Sequence, residues 1–261
     1  MKIYIADAFA DQPYTGNPAG VCVLPEEKPD EWMRNIAAEM GASETAFLVR
    51  ENGGFALRWF TPEAEVPLCG HATLASAHIL WETGAAQEEK IRFQTKSGQL
   101  TAVKRGSLIE LDFPAMPTMQ ADAPDALIRG IGATPLYVGA SEVKYLVEVE
   151  DERTVRGLSP DFAAIKQSGR QGVIVTARAD APGVDFVSRF FAPAVGVDED
   201  PVTGSAHCCL APYWGEKLGK KVMKAKQLSR RGGSLEVEFN GDRVLIRGRA
   251  VTTLRGQLAA E

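Results

Sequence analysis

The sequence predicts an α+β protein made of two copies of one domain, each a curved, mostly antiparallel sheet wrapped around a central helix. Three observations carry this prediction: an internal repeat, two helices that are apolar on more than one face, and a hairpin closing each half. Pro29-Asp30 recurs as Pro160-Asp161, and Arg58-Trp59-Phe60-Thr61-Pro62 recurs as Arg189-Phe190-Phe191-Ala192-Pro193, both 131 residues later. Gly70 matches Gly204 at an offset of 134, and Leu100 with Gly106 matches Leu235 with Gly241 at 135. An offset that grows and never resets marks duplication followed by small insertions.

The elements follow in the same order in each half. Residues 29–40 carry Trp32, Ile36 and Ala37 on one stripe, with Pro29 at the start and Gly41 past the end, and read as a helix. Residues 45–49 and 55–60 are apolar runs too short for helices, hence strands, with Gly53-Gly54 as their turn. Residues 70–83 form a helix apolar all round, as expected of one enclosed by other structure. A hairpin spans 99–104 and 108–113 around Arg105-Gly106. The second half repeats this with a helix at 159–168, strands at 172–176 and 185–191, a core helix at 204–218 and a hairpin of 235–239 with 243–247 around Asn240-Gly241. Three prolines between 114 and 125 break the pattern, which sets the domains at 1–117 and 118–261, with the C-terminal tail free to cross back. A pseudo-twofold relation would place a cleft between the halves, with both core-helix starts facing it.

At 261 residues, 45% hydrophobic and 24% charged, the chain is long enough to bury a core without disulfide staples. Its 29 basic against 34 acidic residues leave a net charge of −5, so neither nucleic acid nor an anionic membrane surface is an expected partner. No apolar run approaches the ~18 residues of a spanning helix, and the stretch before Asp7 is too short for a signal sequence; a cytoplasmic location is expected. Four cysteines without C-x-x-C spacing read as reduced thiols.

Chemistry is expected where the repeat meets its helix starts. A helix N-terminus offers unsatisfied N–H groups and partial positive charge, a natural seat for a carboxylate. Here Gly70-His71 and Gly204-Ser205 begin the two core helices, and no lysine follows to make a phosphate loop. Glu44 heads an apolar strand at a position that the offset of 131 maps onto Val175, so it is an unmatched carboxylate able to take and return a proton. Asp200 is placed by the same arithmetic within a three-residue insertion before the second core helix. His71 and His78 lie about 10 Å apart along their helix, too far to share a metal, and no metal site is expected.

The strings Phe9-Ala10-Asp11-Gln12-Pro13-Tyr14-Thr15-Gly16-Asn17-Pro18-Ala19-Gly20-Val21, Ser43-Glu44-Thr45-Ala46-Phe47, Arg58-Trp59-Phe60-Thr61-Pro62, Cys69-Gly70-His71-Ala72-Thr73 and Asp200-Pro201-Val202-Thr203-Gly204-Ser205-Ala206 together resemble the phenazine-biosynthesis-type (PhzF-like) isomerases over nearly the whole chain. The resemblance implies the diaminopimelate-epimerase-like fold of twin barrels, each enclosing a helix. It implies that Glu44 is the general acid/base, shifting a proton on a small amino-carboxylate without metal or organic cofactor. It implies that His71, Asp200 and Ser205, with the amides at Gly70 and Gly204 and a further contact from Asn17, hold the substrate, and that the protein is a homodimer. Epimerases of this fold use two thiols, one at each core-helix start. Here Cys69 stands at the first and Thr203 at the second, and Thr is too weak an acid to mirror it. The alternatives are a small-molecule-binding protein without turnover and an amino-acid epimerase working through Cys69.

Overall fold

Pro29 cannot continue a strand ladder, and its φ of −59° is already set for a helix, so the chain turns at once into α1 (Asp30–Met40). Asp30 and Glu31 complement the positive end of the helix, and Gly41 closes it in the left-handed conformation at φ 64°. This helix sets the local topology. A parallel pair of neighbouring strands needs a long crossover, and α1 supplies it between β2 (Asn17–Leu24) and β3 (Thr45–Glu51). Met33 and Ala37 of α1 pack on Cys22, Leu24, Phe47 and Phe60. Because strand side chains alternate, Ala19 and Val21 face the other way, and they are fully buried too, so the sheet is covered on both faces.

The structure, a computed structural model, describes residues 1–51 and 53–259. Before β2 runs β1 (Lys2–Ala8), antiparallel to it; after β3 come its hairpin partner β4 (Gly54–Phe60) and the short β5 (Glu65–Val66). Then α2 (Gly70–Glu82) crosses over to β6 (Lys90–Thr95), which lies parallel to β4, and β7 (Gly98–Arg105) and β8 (Leu108–Pro114) follow as antiparallel meanders. Residues 71–77, Ile79 and Leu80 of α2 are all buried, and the helix touches β1, β2, β3 and β7.

The second unit repeats this plan. After β9 (Met119–Gln120) and α3 (Asp125–Ile131), β10 (Tyr137–Ala140) pairs antiparallel with β11 (Lys144–Glu148). The crossover to the parallel β12 (Gly172–Arg178) is made by α4 (Glu152–Gly157) and α5 (Phe162–Lys166). The hairpin strand β13 (Phe186–Phe191) then leads to α6 (Gly204–Leu218), the parallel β14 (Val222–Gln227) and its antiparallel partner β15 (Gly233–Asn240), with β16 (Arg243–Gly248) after a two-residue turn. The predicted helix at 159–168 is the shorter α5, because Asp161 Oδ1 accepts from Ala164 N and caps it there. Trp214 fixes α6 from inside: its ring stacks on Phe186 at 5.7 Å, and its Nε1 donates to Thr176 Oγ1. Pro212 lies within α6 and has no N–H to give Cys208 O, which instead accepts from Met116 N at 2.9 Å.

Near the end of the described residues the chain returns to its first strand. β17 (Ala250–Gln257) lies antiparallel to β1 and touches α2, so the first unit comprises Met1–Asp112 and the chain from Arg247 on, and the second is Phe113–Ile246. Glu110, almost fully buried, anchors the returning chain through Arg247 Nε at 2.6 Å.

Ladder registers refine the repeat. Phe47 lies opposite Arg58, and Val175 opposite Arg189. The counterpart of Val175 is therefore Phe47, and Glu44 corresponds to Gly172, not to Val175 as a constant offset of 131 implies. Between these matched pairs the second hairpin is three residues longer, 14 from Val175 to Arg189 against 11 from Phe47 to Arg58. Both arginines pair two-pronged with a glutamate, Arg58 with Glu65 and Arg189 with Glu199, and lie over the rings of Phe60 and Phe191. That match aligns Val66 with Asp200, so the insertion precedes Glu199 and does not contain Asp200.

Candidate active site

The first unit brings three reactive side chains together. Glu44 immediately precedes β3, and its carbonyl accepts from Gly20 N at 3.0 Å, which ties its backbone to β2. Cys69 precedes α2 in an extended conformation (φ −144°) and makes no side-chain cap, so the first amides of that helix are left to other partners. Its carbonyl is taken by Thr73 Oγ1 at 2.6 Å. One residue into the helix, His71 directs Nε2 to within 3.3 Å of Glu44 Oε2, and Cys69 Sγ lies 3.5 Å from His71 Nδ1. The Glu44 side chain is 20% exposed and that of His71 9%. Glu44 Oε2 is sealed from solvent, and its approach to the imidazole is not aligned as a hydrogen bond; it has no such partner among the described residues. A carboxylate so held can exchange a proton with a bound molecule, and the adjoining helix start can seat an anion.

Asn17 opens β2 opposite Ala8 and is fully buried. The loop before it is strained: Phe9 and Tyr14 take left-handed conformations at φ 59° and 69°, and Tyr14 N donates to Asp7 Oδ2. Gly16 is obligatory there, since at φ 68° a Cβ would come within 2.2 Å of Ala8 O.

The second unit holds the other expected residues. Thr203 precedes α6 at φ −114°, matching Cys69, and its Oγ1 donates to Asp200 Oδ2 at 2.5 Å. Gly204 and Ser205 form the first turn, Gly204 buried and Ser205 exposed, and Asp200 is half-buried. Gln227, fully buried, organises this loop: Oε1 accepts from Thr203 N, while Nε2 donates to Asp200 O and to Thr203 Oγ1. The sequence reading missed it, although Met223, Ala225 and Gln227 alternate inward along β14 and a polar residue at the third such position was a signal. His207 matches Thr73 and does the same work, donating Nδ1–H to Thr203 O at 2.8 Å. Burial pushes its pKa down to about 4, so the ring is neutral. Cys208 and Cys22 are core residues whose thiols burial pushes up to about 12. His78 faces Thr252 and Glu82, not His71.

The structure thus joins Glu44 to His71 and adds Cys69, while Asp200, Gly204 and Ser205 gather at the second helix start. An uncharacterized isomerase of Halalkalibacterium halodurans is 54% identical over 258 residues, covering 98% of this chain and 97% of its own. The crystal structure of a PhzF-family phenazine biosynthesis protein from Enterococcus faecalis superposes with a TM-score of 0.94 at 42% identity, over 98% of this chain and 97% of that one. A probable proline racemase of Agrobacterium radiobacter, at 14% identity, shares the fold with a TM-score of 0.65, over 100% of this chain and 93% of its own. These likenesses make the chain an enzyme of the isomerase class. It belongs to the phenazine biosynthesis-like protein family (PhzC-PhzF), whose profile matches residues 6–256.

Proposed function

We propose that this isomerase works without a cofactor and uses Glu44 as general acid/base to move a proton on a small amino-carboxylate. The supporting observation is the half-buried Glu44 carboxylate, 3.3 Å from His71 Nε2 beside the start of α2. His71 orients the carboxylate, and the amides at Gly70 and His71 attract the negative charge of the substrate and of the developing carbanion. Asn17 is a further proposed contact. The second helix start supplies the same chemistry, and Asp200, Gly204 and Ser205 are its proposed contacts to a carboxylate. A homodimer is the proposed assembly.

NMR in D₂O across a panel of small amino-carboxylates tests the reading. The protein exchanges a carbon-bound hydrogen of its substrate with solvent, and Glu44→Gln slows that exchange by about 10²- to 10⁴-fold. Equal exchange by both proteins overturns the assignment, and ligand-induced thermal stabilisation without exchange makes the protein a binder. A second reading, epimerisation through Cys69, is favoured by its sulfur lying 3.5 Å from His71 Nδ1. It requires Cys69→Ala to abolish exchange. With Thr203 at the matching position we expect this variant to retain it.

A further inference from the structure

We propose that Glu44, Cys69 and His71 also form a three-point site for a thiophilic divalent cation, Zn²⁺ by its chemistry, and that the bound ion locks the carboxylate away from proton transfer. One ligand atom from each of the three residues falls within 4.8 Å of the others. Zinc bonds of about 2.3 Å to sulfur and about 2.0 Å to nitrogen or oxygen, at tetrahedral angles, set S···N and N···O edges of about 3.5 and about 3.3 Å. Using His71 Nε2, the structure has 3.9 Å to Cys69 Sγ and 3.3 Å to Glu44 Oε2. The Glu44 edge already matches, whereas Cys69 Sγ, 3.5 Å from Nδ1, must turn about its side-chain torsion toward the Nε2 side to complete the cage.

Three further features fit an ion. Glu44 Oε2 is buried and accepts no hydrogen bond from the described residues, so a lone pair stands ready. A carboxylate and a thiolate offset the two positive charges, which makes the complex neutral in a site where all three side chains are largely buried. Three protein ligands leave a fourth position open, as in zinc sites that bind water or an anion. As the Zn–S bond forms, the Cys69 thiol proton leaves to solvent. Inhibition by the ion rests on the role of Glu44 proposed above, whereas binding itself does not.

Cobalt(II) is the probe, added to the full, reduced, chelator-treated chain. A near-ultraviolet sulfur-to-cobalt charge-transfer band is expected to saturate at one equivalent and to vanish when Zn²⁺ displaces the cobalt. Cys69→Ser abolishes the band. Changes in residues that merely orient ligands cost about 10- to 100-fold in affinity, so loss of a direct ligand in His71→Gln or Glu44→Gln weakens cobalt binding more than about 100-fold. Absence of the band in a folded protein, a band undiminished in Cys69→Ser, or unchanged affinity in both His71→Gln and Glu44→Gln overturns the site. If Cys69→Ser fails to fold, the other two variants decide. Exchange lost in Glu44→Gln with no cobalt band sinks the ion site alone; a band together with full exchange in Glu44→Gln sinks the proton carrier alone.

Discussion

At the scale of single residues, the two core-helix starts differ in side chains that share a backbone plan. In the repeat Cys69 corresponds to Thr203, His71 to Ser205, Val66 to Asp200, and Glu44 to Gly172. The first two pairings were legible in the sequence, because each lies beside the glycine that opens a core helix. The pairings of Val66 with Asp200 and of Glu44 with Gly172 were not, because counting residues cannot place a connection that lengthens between matched elements. The most consequential residue outside those pairs is His207. Above pH about 6.5 the ring is neutral in both folded and unfolded chains, and stability is complete. Between there and about 4 only the unfolded chain takes up the proton, so stability falls with pH, by about 3 kcal/mol in all, and levels off below. Denaturant unfolding at pH 7 and pH 4 is expected to show this loss, reduced by most of that amount in His207→Gln. An equal acid loss in both proteins would mean that His207 is not held neutral.

Elements were legible where composition and punctuation agree. Both core helices begin at the glycines that mark them, and α6 ends at Leu218, just before a left-handed Gly219. The helices α3 and α4 escaped notice because they span only seven and six residues, too few for periodicity to register. Pro212 is the instructive case. In an ordinary helix interior, replacing proline by alanine gains about 3 kcal/mol. Here the carbonyl that proline leaves open already has Met116 N as its donor. Pro212→Ala is therefore expected to change stability by less than about 1 kcal/mol, since the restored helical N–H competes for an occupied acceptor. A gain near the full amount in urea unfolding would show that the Met116 bond contributes little.

For the whole molecule, the repeat alone was enough to read two units of one plan, since the same crossovers recur at matched glycines and arginines. The return of β17 was left open, because a strand's partner depends on which edge is vacant and not on its own residues. That strand covers the edge of β1, and its Thr252 and Arg255 engage His78 and Glu82 of α2. A chain ending at Arg249 is expected to lose the cooperative unfolding of the first unit and to aggregate through the bared edge; a melting curve like that of the full chain would contradict this. Among the described residues no helix is long and apolar enough to cross a membrane. Synthesis runs toward the C-terminus, so β1 must wait for β17, while residues 113–246 are all present sooner. On the ribosome the unit of residues 113–246 can mature before the unit that starts ahead of it, which stays unfinished and open to chaperones and proteases until β17 emerges.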